Sequence, residues 1–229
     1  MVDDALWCHE LYRFFRAGDE ETLALRGVSL RVARGETVAV VGPSGSGKST
    51  LLACLAGLDE PAGGSVTIGG ERISHRPEVQ RARVRARRLG ILLQSGNLVP
   101  HLTVRANIRL AQSAAGRRDT TRNGPAGVPA LERLLEEVGL EGRGGALPQE
   151  LSGGEVARAG LAVAVSNQPD VLLADEPTGE LDGQTEEVVL RLIRRQADEG
   201  HGVLVVTHSA AVSRIADRVI SLHDGRVLG

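Results

Sequence analysis

The stretch GPSGSGKST, residues 42–50, decides the fold. It matches the pattern G-x-x-x-x-G-K-[ST], and it lies between a β-branched apolar run (35–42) and a segment with helical spacing (49–58). Glycines let such a loop curl until several backbone N–H groups point at one anion, and the helix that follows adds the positive end of its dipole. The stretch therefore predicts a phosphate site between a buried strand and a helix.

Lys48 in this loop is the only lysine among the 27 basic residues of the chain. An ammonium group is a compact point charge on a flexible stem, whereas a guanidinium is a wide planar fork that we expect not to fit inside a wrapped loop. We expect Lys48 to reach the β- and γ-phosphates of a nucleotide and Ser49 to ligate Mg²⁺. The predicted nucleotide-binding residues of the loop are Gly42, Pro43, Ser44, Gly45, Ser46, Gly47, Lys48, Ser49 and Thr50.

The composition is that of an ordinary globular chain, and 229 residues suffice for one large domain or for a core with an inserted subdomain. A formal net charge of −2 gives no general attraction to nucleic acid. No apolar run approaches the roughly 18–20 residues that span a bilayer, and the acidic N-terminus is not that of a signal peptide. Two cysteines, Cys8 and Cys54, are too few for a disulfide framework, which favours the cytosol.

Apolar runs typical of buried strands alternate with helical patterns along the chain. This alternation predicts a mainly parallel sheet covered on both faces. The first 80 residues are expected to form short strands, and residues 113–130 are expected to form a mobile surface loop. The strand predictions are 25–32, 35–42, a hairpin at 63–73, 89–94, 170–177 and 202–209, and the helix predictions are 49–58, 130–140 and 186–200.

Seven arginines lie between residues 72 and 88. They form either a patch for phosphates or lipid headgroups, or the solvated face of a helix whose alanines and valine are buried. The spacing of the apolar residues favours the second interpretation.

Asp175 and Glu176 end the apolar run at 170–177. Acids at the carboxyl end of such a strand lie where open α/β sheets place ligand chemistry. We predict that Asp175 holds Mg²⁺ and that Glu176 orients and deprotonates an attacking water. The alternative is a charged pair at an ordinary strand-to-loop turn.

The segment LSGGE (151–155) is the one that indicates a family. Together with GPSGSGKST, Gln94, DEPTGELD (175–182) and TH at 207–208, it resembles the ATP-binding cassette ATPases of ABC transporters, over essentially the whole chain. The resemblance implies an α/β P-loop NTPase fold. It has a mainly parallel sheet core, an antiparallel β subdomain and an inserted α-helical subdomain. One domain (1–229) would comprise a core of about 1–94 and 166–229 and a helical subdomain of about 95–165.

The LSGGE segment has the features of a second anion site. Ser152 is able to cap a helix, and Gly153 and Gly154 let backbone approach a phosphate closely. A plain helix cap is the alternative. In the family this segment contacts the ATP held by the other subunit, so the resemblance implies a homodimer or a heterodimer of cassettes.

The resemblance also assigns single residues. Gln94 resembles the glutamine that senses Mg²⁺ and the γ-phosphate, and His208 resembles the switch histidine that contacts the γ-phosphate. Asp182 resembles the aspartate that couples the two sites of the dimer. Phe15 lies where the family often stacks an aromatic ring on adenine, with Tyr12 and Phe14 as alternatives.

The segments LVPHLTVRANI (98–108) and LLADEPTGELD are similar to the subgroup that serves lipoprotein release, macrolide or peptide export and cell division. This implies an ATPase that uses ATP and Mg²⁺ on the cytoplasmic face of the membrane, powers a separate permease, and binds no nucleic acid. The alternatives are a soluble cassette protein acting on nucleic acid or ribosomes, and a binding module without hydrolysis. Intact Glu176 and His208 argue against the last.

Four positions depart from the family pattern. Val156 replaces a usual glutamine, Val163 a common arginine, Ala106 an expected acid, and Ser209 the commoner aspartate. None of these changes removes a predicted phosphate or magnesium ligand. They bear on the polar contacts of the LSGGE helix, and hence on dimer affinity and turnover.

Overall fold

The computed structural model describes two β-sheets with helices packed around them. The described residues are 4–17, 20–116, 130–179 and 181–228, without the side chains of 16, 17, 20 and 21. The strands are β1 (Asp4–Ala17), β2 (Glu20–Ala33), β3 (Thr37–Val41), β4 (Gly63–Ile68), β5 (Glu71–Arg72), β6 (Leu89–Leu92), β7 (Val171–Asp175), β8 (Gly202–Val206), β9 (Arg218–His223) and β10 (Arg226–Leu228). The α-helices are α1 (Lys48–Leu55), α2 (Glu78–Arg88), α3 (Val104–Ala114), α4 (Ala130–Glu137), α5 (Gly153–Val165), α6 (Gly183–Asp198) and α7 (Ala210–Ile215).

The larger sheet has the strand order β10-β9-β3-β8-β7-β6, and only β10 pairs antiparallel in it. Successive side chains of a strand point to opposite faces. Val38 and Val40 lie in one apolar cluster and Ala39 lies in another, so both faces of the sheet are covered. The predicted mainly parallel core is confirmed.

The smaller sheet is antiparallel, with the order β2-β1-β4-β5. The predicted hairpin at 63–73 is formed by β4 and β5, which pair through Thr67 and Ile68. The first two strands are longer than the short strands expected, at 14 residues each. Their pairing contains register shifts, which bend a long strand pair without ending it.

The helices α3, α4 and α5 share a third apolar cluster, apart from the two that cover the sheet. Its buried members include Ile108, Leu135 and Ala162. None of the helices in the described ranges is long and apolar enough to cross a lipid bilayer. Most of the predicted loop at 113–130 lies outside the described residues.

The arginine cluster is largely engaged within the chain. Arg81 pairs with Glu60 at 2.9 Å, and Arg88 pairs with Asp170 at 2.8 Å. Arg85 pairs with Glu78 in the same helix. These contacts favour the solvated, ion-paired helix over a free phosphate patch, although the only buried residue of α2 is Val84.

Both cysteines are buried, and burial raises the pKa of each thiol to about 12. The thiols are therefore protonated at neutral pH. Cys54 packs in the main apolar cluster, as expected for a small hydrophobic residue.

Candidate functional site

The phosphate loop joins the end of β3 to the start of α1, as predicted. A side chain at Gly42 would put its Cβ 2.0 Å from the carbonyl oxygen of Leu222, and one at Gly47 would put its Cβ 2.5 Å from that of Ala24. Gly47 also has a φ of 102°, which side chains rarely adopt. Both glycines are therefore required by close backbone packing.

The hairpin between β9 and β10 supports this loop from behind. Leu222, in β9, supplies the carbonyl that approaches Gly42, and the N–H of Gly225 donates to the carbonyl oxygen of Ser46 at 3.0 Å. Ser46 itself is buried, and its Oγ has no hydrogen-bond partner among the described residues. The curl of the loop thus depends on a segment far away in sequence.

Lys48 is 7% exposed, and its ammonium group donates to the carbonyl oxygens of Gly42 at 2.9 Å and Pro43 at 3.0 Å. Both acceptors are uncharged, so the positive charge is held inside the loop without being neutralised by them. The helix α1 begins here after Gly47, and no side-chain hydrogen bond caps it. Unpaired N–H groups at a helix start beside a buried cation make a site for an anion.

Asp175 and Glu176 stand at the carboxyl end of β7, next to the carboxyl end of β8. Burial raises the pKa of Asp175, the neighbouring Glu176 raises it further, and the charge of Lys48 lowers it. Glu176 has a φ of 45°, an uncommon conformation of the kind that clusters at functional sites. The two acids and the lysine therefore lie within electrostatic reach of one another.

The Glu176 carboxylate is held at one oxygen and free at the other. Its Oε2 accepts hydrogen bonds from the Thr207 hydroxyl at 3.1 Å and from the backbone N–H of His208 at 3.2 Å. Its Oε1 is buried without a hydrogen-bond partner among the described residues, and the Nε2 of His208 is 3.6 Å away. A carboxylate oriented in this way is suited to accept a proton at Oε1.

A cavity of about 830 Å³ brings most of the predicted site together. Gly42, Pro43 and Ser46 belong to the loop but not to the cavity wall. The predicted residues that line it are Phe15, Ser44, Gly45, Gly47, Lys48, Ser49, Thr50, Gln94, Asp175, Glu176 and His208.

Of the three aromatic candidates, Phe15 lines the cavity. The guanidinium of Arg13 lies 4.7 Å from the centroid of the Phe15 ring, and Arg13 is itself paired with Asp59 at 2.8 Å. The hydroxyl of Tyr12 donates to Glu10 at 3.2 Å. Phe15 is thus the aromatic ring best placed to contact a base.

The LSGGE residues lie outside this cavity, at the start of α5. The Oγ of Ser152 accepts from the N–H of Glu155 at 3.3 Å, and the Glu155 carboxylate accepts from the N–H of Ser152 at 2.8 Å. A Cβ at Gly153 would meet nothing within 4 Å, whereas one at Gly154 would lie 2.5 Å from Thr185. One chain therefore does not bring Ser152, Gly153 and Gly154 to its own phosphate loop.

Asp182, which the resemblance assigns to coupling the two sites, caps α6. Its carboxylate accepts from the N–H of Thr185 at 2.9 Å and from the Thr185 hydroxyl at 3.1 Å. These hydrogen bonds lower the pKa of Asp182. Because Gly154 packs against Thr185, the start of α6 lies beside the start of α5.

Five residues that line the cavity were missed as site candidates, and three of them have polar side chains, namely Thr178, Glu186 and Ser209. The Thr178 hydroxyl donates to Glu186 Oε1 at 3.0 Å, and the Ser209 hydroxyl donates to the same oxygen at 2.9 Å. No motif marks Glu186. The one available signal was the departure from the family pattern at Ser209.

The other departures are accommodated by packing. Val156 and Val163 lie partly buried against the third apolar cluster, where a polar side chain would lose apolar contacts. Ala106 contributes its backbone N–H to the Thr103 cap of α3. The helix α5 thus has apolar residues at two positions that are polar in the family pattern.

The residues present fit ATP and Mg²⁺. Asp175 is a partly desolvated carboxylate beside a second acid, and Ser49 lines the same cavity, so both supply the oxygen ligands that Mg²⁺ prefers. Among the described residues, no group of three or more His, Cys, Asp or Glu would hold a metal alone.

Comparisons with known proteins give the family. The model of the ABC transporter family matches residues 25–179. An uncharacterised ABC transporter ATP-binding protein of Thermotoga maritima is 41% identical over 226 residues, covering 96% of this chain and 92% of that protein. YbbA of Escherichia coli K12, also an uncharacterised ABC transporter ATP-binding protein, is 41% identical, and the match covers 96% of this chain and 94% of YbbA.

The macrolide export ATP-binding/permease protein MacB of Burkholderia thailandensis is 39% identical over the whole chain, which spans 34% of its length. The dimeric structure of the bacterial ABC transporter cassette MJ0796 superposes with a TM-score of 0.87 at 33% identity, covering 98% of this chain and 97% of that one. A post-hydrolysis dimer of MJ0796 bound to ADP and phosphate gives a TM-score of 0.86 at 32% identity. The chain belongs to the ABC transporter family and is one of its ATP-binding cassettes.

Proposed function

We propose that this chain hydrolyses ATP and so powers a separate membrane permease. The observation that carries the proposal is the single cavity lined by Lys48, Asp175, Glu176, Gln94 and His208. It gathers a buried cation, two acids and a histidine around a helix start without a side-chain cap, which is the equipment for phosphoryl transfer.

In this proposal the phosphate loop binds the triphosphate. Lys48 places its charge at the β- and γ-phosphates, and the N–H groups at the start of α1 donate to phosphate oxygens. Phe15 stacks on the base. Ser49, Asp175 and Gln94 would hold Mg²⁺, which neutralises charge on the phosphates when it is bound.

Glu176 acts on the attacking water. Thr207 and the N–H of His208 fix its Oε2, which leaves Oε1 to orient the water and take its proton. The imidazole of His208, 3.6 Å from Oε1, faces the γ-phosphate and supports the same water. Fixed groups of this kind lower the barrier because they need no reorganisation when charge develops.

The second half of each nucleotide site comes from another cassette, either a second copy or a close relative. Ser152 and Gly153 lie at an exposed helix start away from the cavity, and Gly153 has open space in front of it. The dimeric MJ0796 structures support this arrangement, since they superpose on nearly the whole chain. Asp182 would couple the two sites.

The transport role follows from the relatives. We propose a position on the cytoplasmic face of the membrane, a permease partner that docks on a helical subdomain of about 95–165, and no nucleic-acid partner. MacB combines an ATP-binding part and a permease in one protein, which supports export as the direction. Lipoprotein release and mechanotransmission remain the alternatives within the subgroup, and no observation favours a soluble role on nucleic acid or ribosomes.

The test is Glu176→Gln, which keeps the shape and the accepting oxygen but removes the base. ATP turnover is expected to fall about a hundredfold or more, while ATP binding is retained. With Mg²⁺ and ATP the variant is expected to elute as a dimer in size-exclusion chromatography. The matched control is Glu187→Gln, because the Glu187 side chain is 75% exposed and its ion pair with Arg191 is long, at 3.8 Å.

Equal turnover by wild type and Glu176→Gln would contradict the proposed base. The partner is tested by capture from detergent-solubilised membranes with the ATP-loaded variant. Recovery of an integral membrane protein supports the transport role, and recovery of ribosomal proteins or DNA overturns it.

A further inference from the structure

Glu186 joins three segments of the site through one oxygen atom. Its Oε1 accepts from the Thr178 hydroxyl at 3.0 Å and from the Ser209 hydroxyl at 2.9 Å. Thr178 lies two residues after Glu176, Ser209 lies one residue after His208, and Glu186 itself is in the first turn of α6. The Glu186 carboxylate thus links α6 to the two segments that carry Glu176 and His208, the side chains proposed to position the water.

The hydrogen bonds continue from there to the reacting carboxylate. The N–H of Ser209 donates to the Thr207 hydroxyl oxygen at 2.9 Å, and that hydroxyl donates to Glu176 Oε2. The backbone of Glu186 is fixed too, because its N–H donates to the carbonyl oxygen of Asp182 at 2.8 Å. Glu186 therefore stands between the residue proposed to couple the two cassettes and the residue proposed to take the proton.

Its surroundings distinguish Glu186 from an ordinary surface acid. It lines the nucleotide cavity together with Thr178 and Ser209, and Thr178 is only 5% exposed. A carboxylate of α6 thus reaches the hydroxyl of Ser209, the residue that follows His208.

We propose that Glu186 is a positioning residue for ATP hydrolysis, and that it acts by holding the hydroxyls of Thr178 and Ser209 so that Glu176 and His208 stay oriented. The inference rests on the proposed roles of those two residues. Hydrogen-bonded partners behind a reacting group typically change activity by about tenfold to a hundredfold when they are removed. Binding of ATP depends on the phosphate loop and stays largely intact.

The experiment compares the steady-state ATPase kinetics and melting temperatures of Glu186→Ala, Glu186→Gln and the control Glu187→Ala. Glu186→Ala is expected to lower kcat about tenfold or more, with KM for ATP within about twofold of wild type. Glu186→Gln keeps an accepting oxygen and is expected to recover most of the turnover. Glu187→Ala, next along the helix and 75% exposed, is expected to behave as wild type.

A second variant covers the case in which Glu186→Ala folds poorly. Thr178→Val keeps the shape of the side chain and removes the hydroxyl that Glu186 holds, so it is expected to lower kcat too. In the double variant the two losses are expected to be less than additive in free energy, because both break one contact.

Three results would overturn the inference. They are equal kcat values for Glu186→Ala and Glu187→Ala, a change in KM alone, and fully additive losses with Thr178→Val. A wild-type chain that binds ATP without hydrolysing it would instead contradict the proposed function, so the two failures are distinguishable.

Discussion

The helices α1 and α5 both begin at a glycine-rich turn, and their first turns are satisfied in opposite ways. At α1 the residue before the helix is Gly47, no side chain caps the N–H groups, and the first residue, Lys48, is a buried cation. At α5 side chains form the cap, because Ser152 and Glu155 bond each other reciprocally. Arg143 in turn holds Glu155 at 2.9 Å.

This difference separates a site that awaits a ligand from one that is stable without it. The start of α1 leaves a positive charge and helix N–H groups facing the cavity, so an anion completes it. At the start of α5 the capping box satisfies the N–H groups of Ser152 and Glu155, and the turn lies at an exposed surface. The contrast supports a nucleotide that is held by α1 first and contacted by the α5 of a second cassette afterwards.

The largest expected effect is at α1. Lys48→Ala and Lys48→Arg are both expected to lower ATP affinity about tenfold to a hundredfold, since hydrogen bonds to charged groups contribute about 1.5–3 kcal/mol and the guanidinium fork does not fit. Calorimetric titration with ATP measures the loss. Ser152→Ala is the control, with unchanged affinity in the isolated chain. Normal binding by Lys48→Arg would contradict the argument from the shape of the loop.

The next largest effect is expected from substitutions of Gly153 and Gly154 at the start of α5. Gly153→Ala places its Cβ in open space, so its free energy of unfolding is expected to stay within about 0.5 kcal/mol of wild type. Its ATP turnover is nevertheless expected to fall about tenfold, because a phosphate from another cassette would meet the added methyl group. Thermal melting and an ATPase assay measure both quantities.

Gly154→Ala is the matched comparison, because its Cβ would lie 2.5 Å from Thr185 of the same chain. We expect a loss of about 1–3 kcal/mol in the free energy of unfolding. Unchanged ATP turnover in Gly153→Ala would mean that no phosphate held by another cassette approaches the start of α5.

The smallest effect is a pH dependence confined to α5. The N–H of Ser152 and then Arg143 lower the pKa of Glu155. A lowered carboxyl pKa stabilises the fold fully above the usual glutamate value, and this stabilisation is lost as the pH falls through the lowered value. The protection of the amide hydrogens at the start of α5 against exchange, relative to their intrinsic exchange rate at each pH, is expected to fall below about pH 4, while Glu155→Gln removes the dependence. Equal pH dependence in the variant would assign the effect to another group.

The parts of the site that the sequence predicted are those whose chemistry is local. The loop at 42–50 carries its strand, its turn and its helix within one stretch, and Asp175 and Glu176 directly follow an apolar run. Their meeting in one cavity also followed, because the parallel strands of one sheet end at the same edge. The predicted family and sheet are confirmed, while the roles of single residues stay predictions.

What the sequence did not predict depends on contacts between distant segments. Glu186 meets Thr178 and Ser209 only because α6 packs beside the ends of β7 and β8, and no spacing rule relates these positions. Arginines of α2 form ion pairs with Glu60 and Asp170, which lie outside that helix. The length of β1 and β2 was missed because bulges interrupt the alternation by which a strand is predicted.

The hairpin behind the phosphate loop has a consequence for biosynthesis. Leu222 and Gly225 support Gly42 and Ser46, yet they are translated long after the loop has left the ribosome. At about 5–20 residues per second, the interval is on the order of ten seconds or more. A growing polypeptide would therefore carry the whole GPSGSGKST stretch without the residues that support it, so nucleotide capture by this cassette begins only after Leu222 and Gly225 have been made.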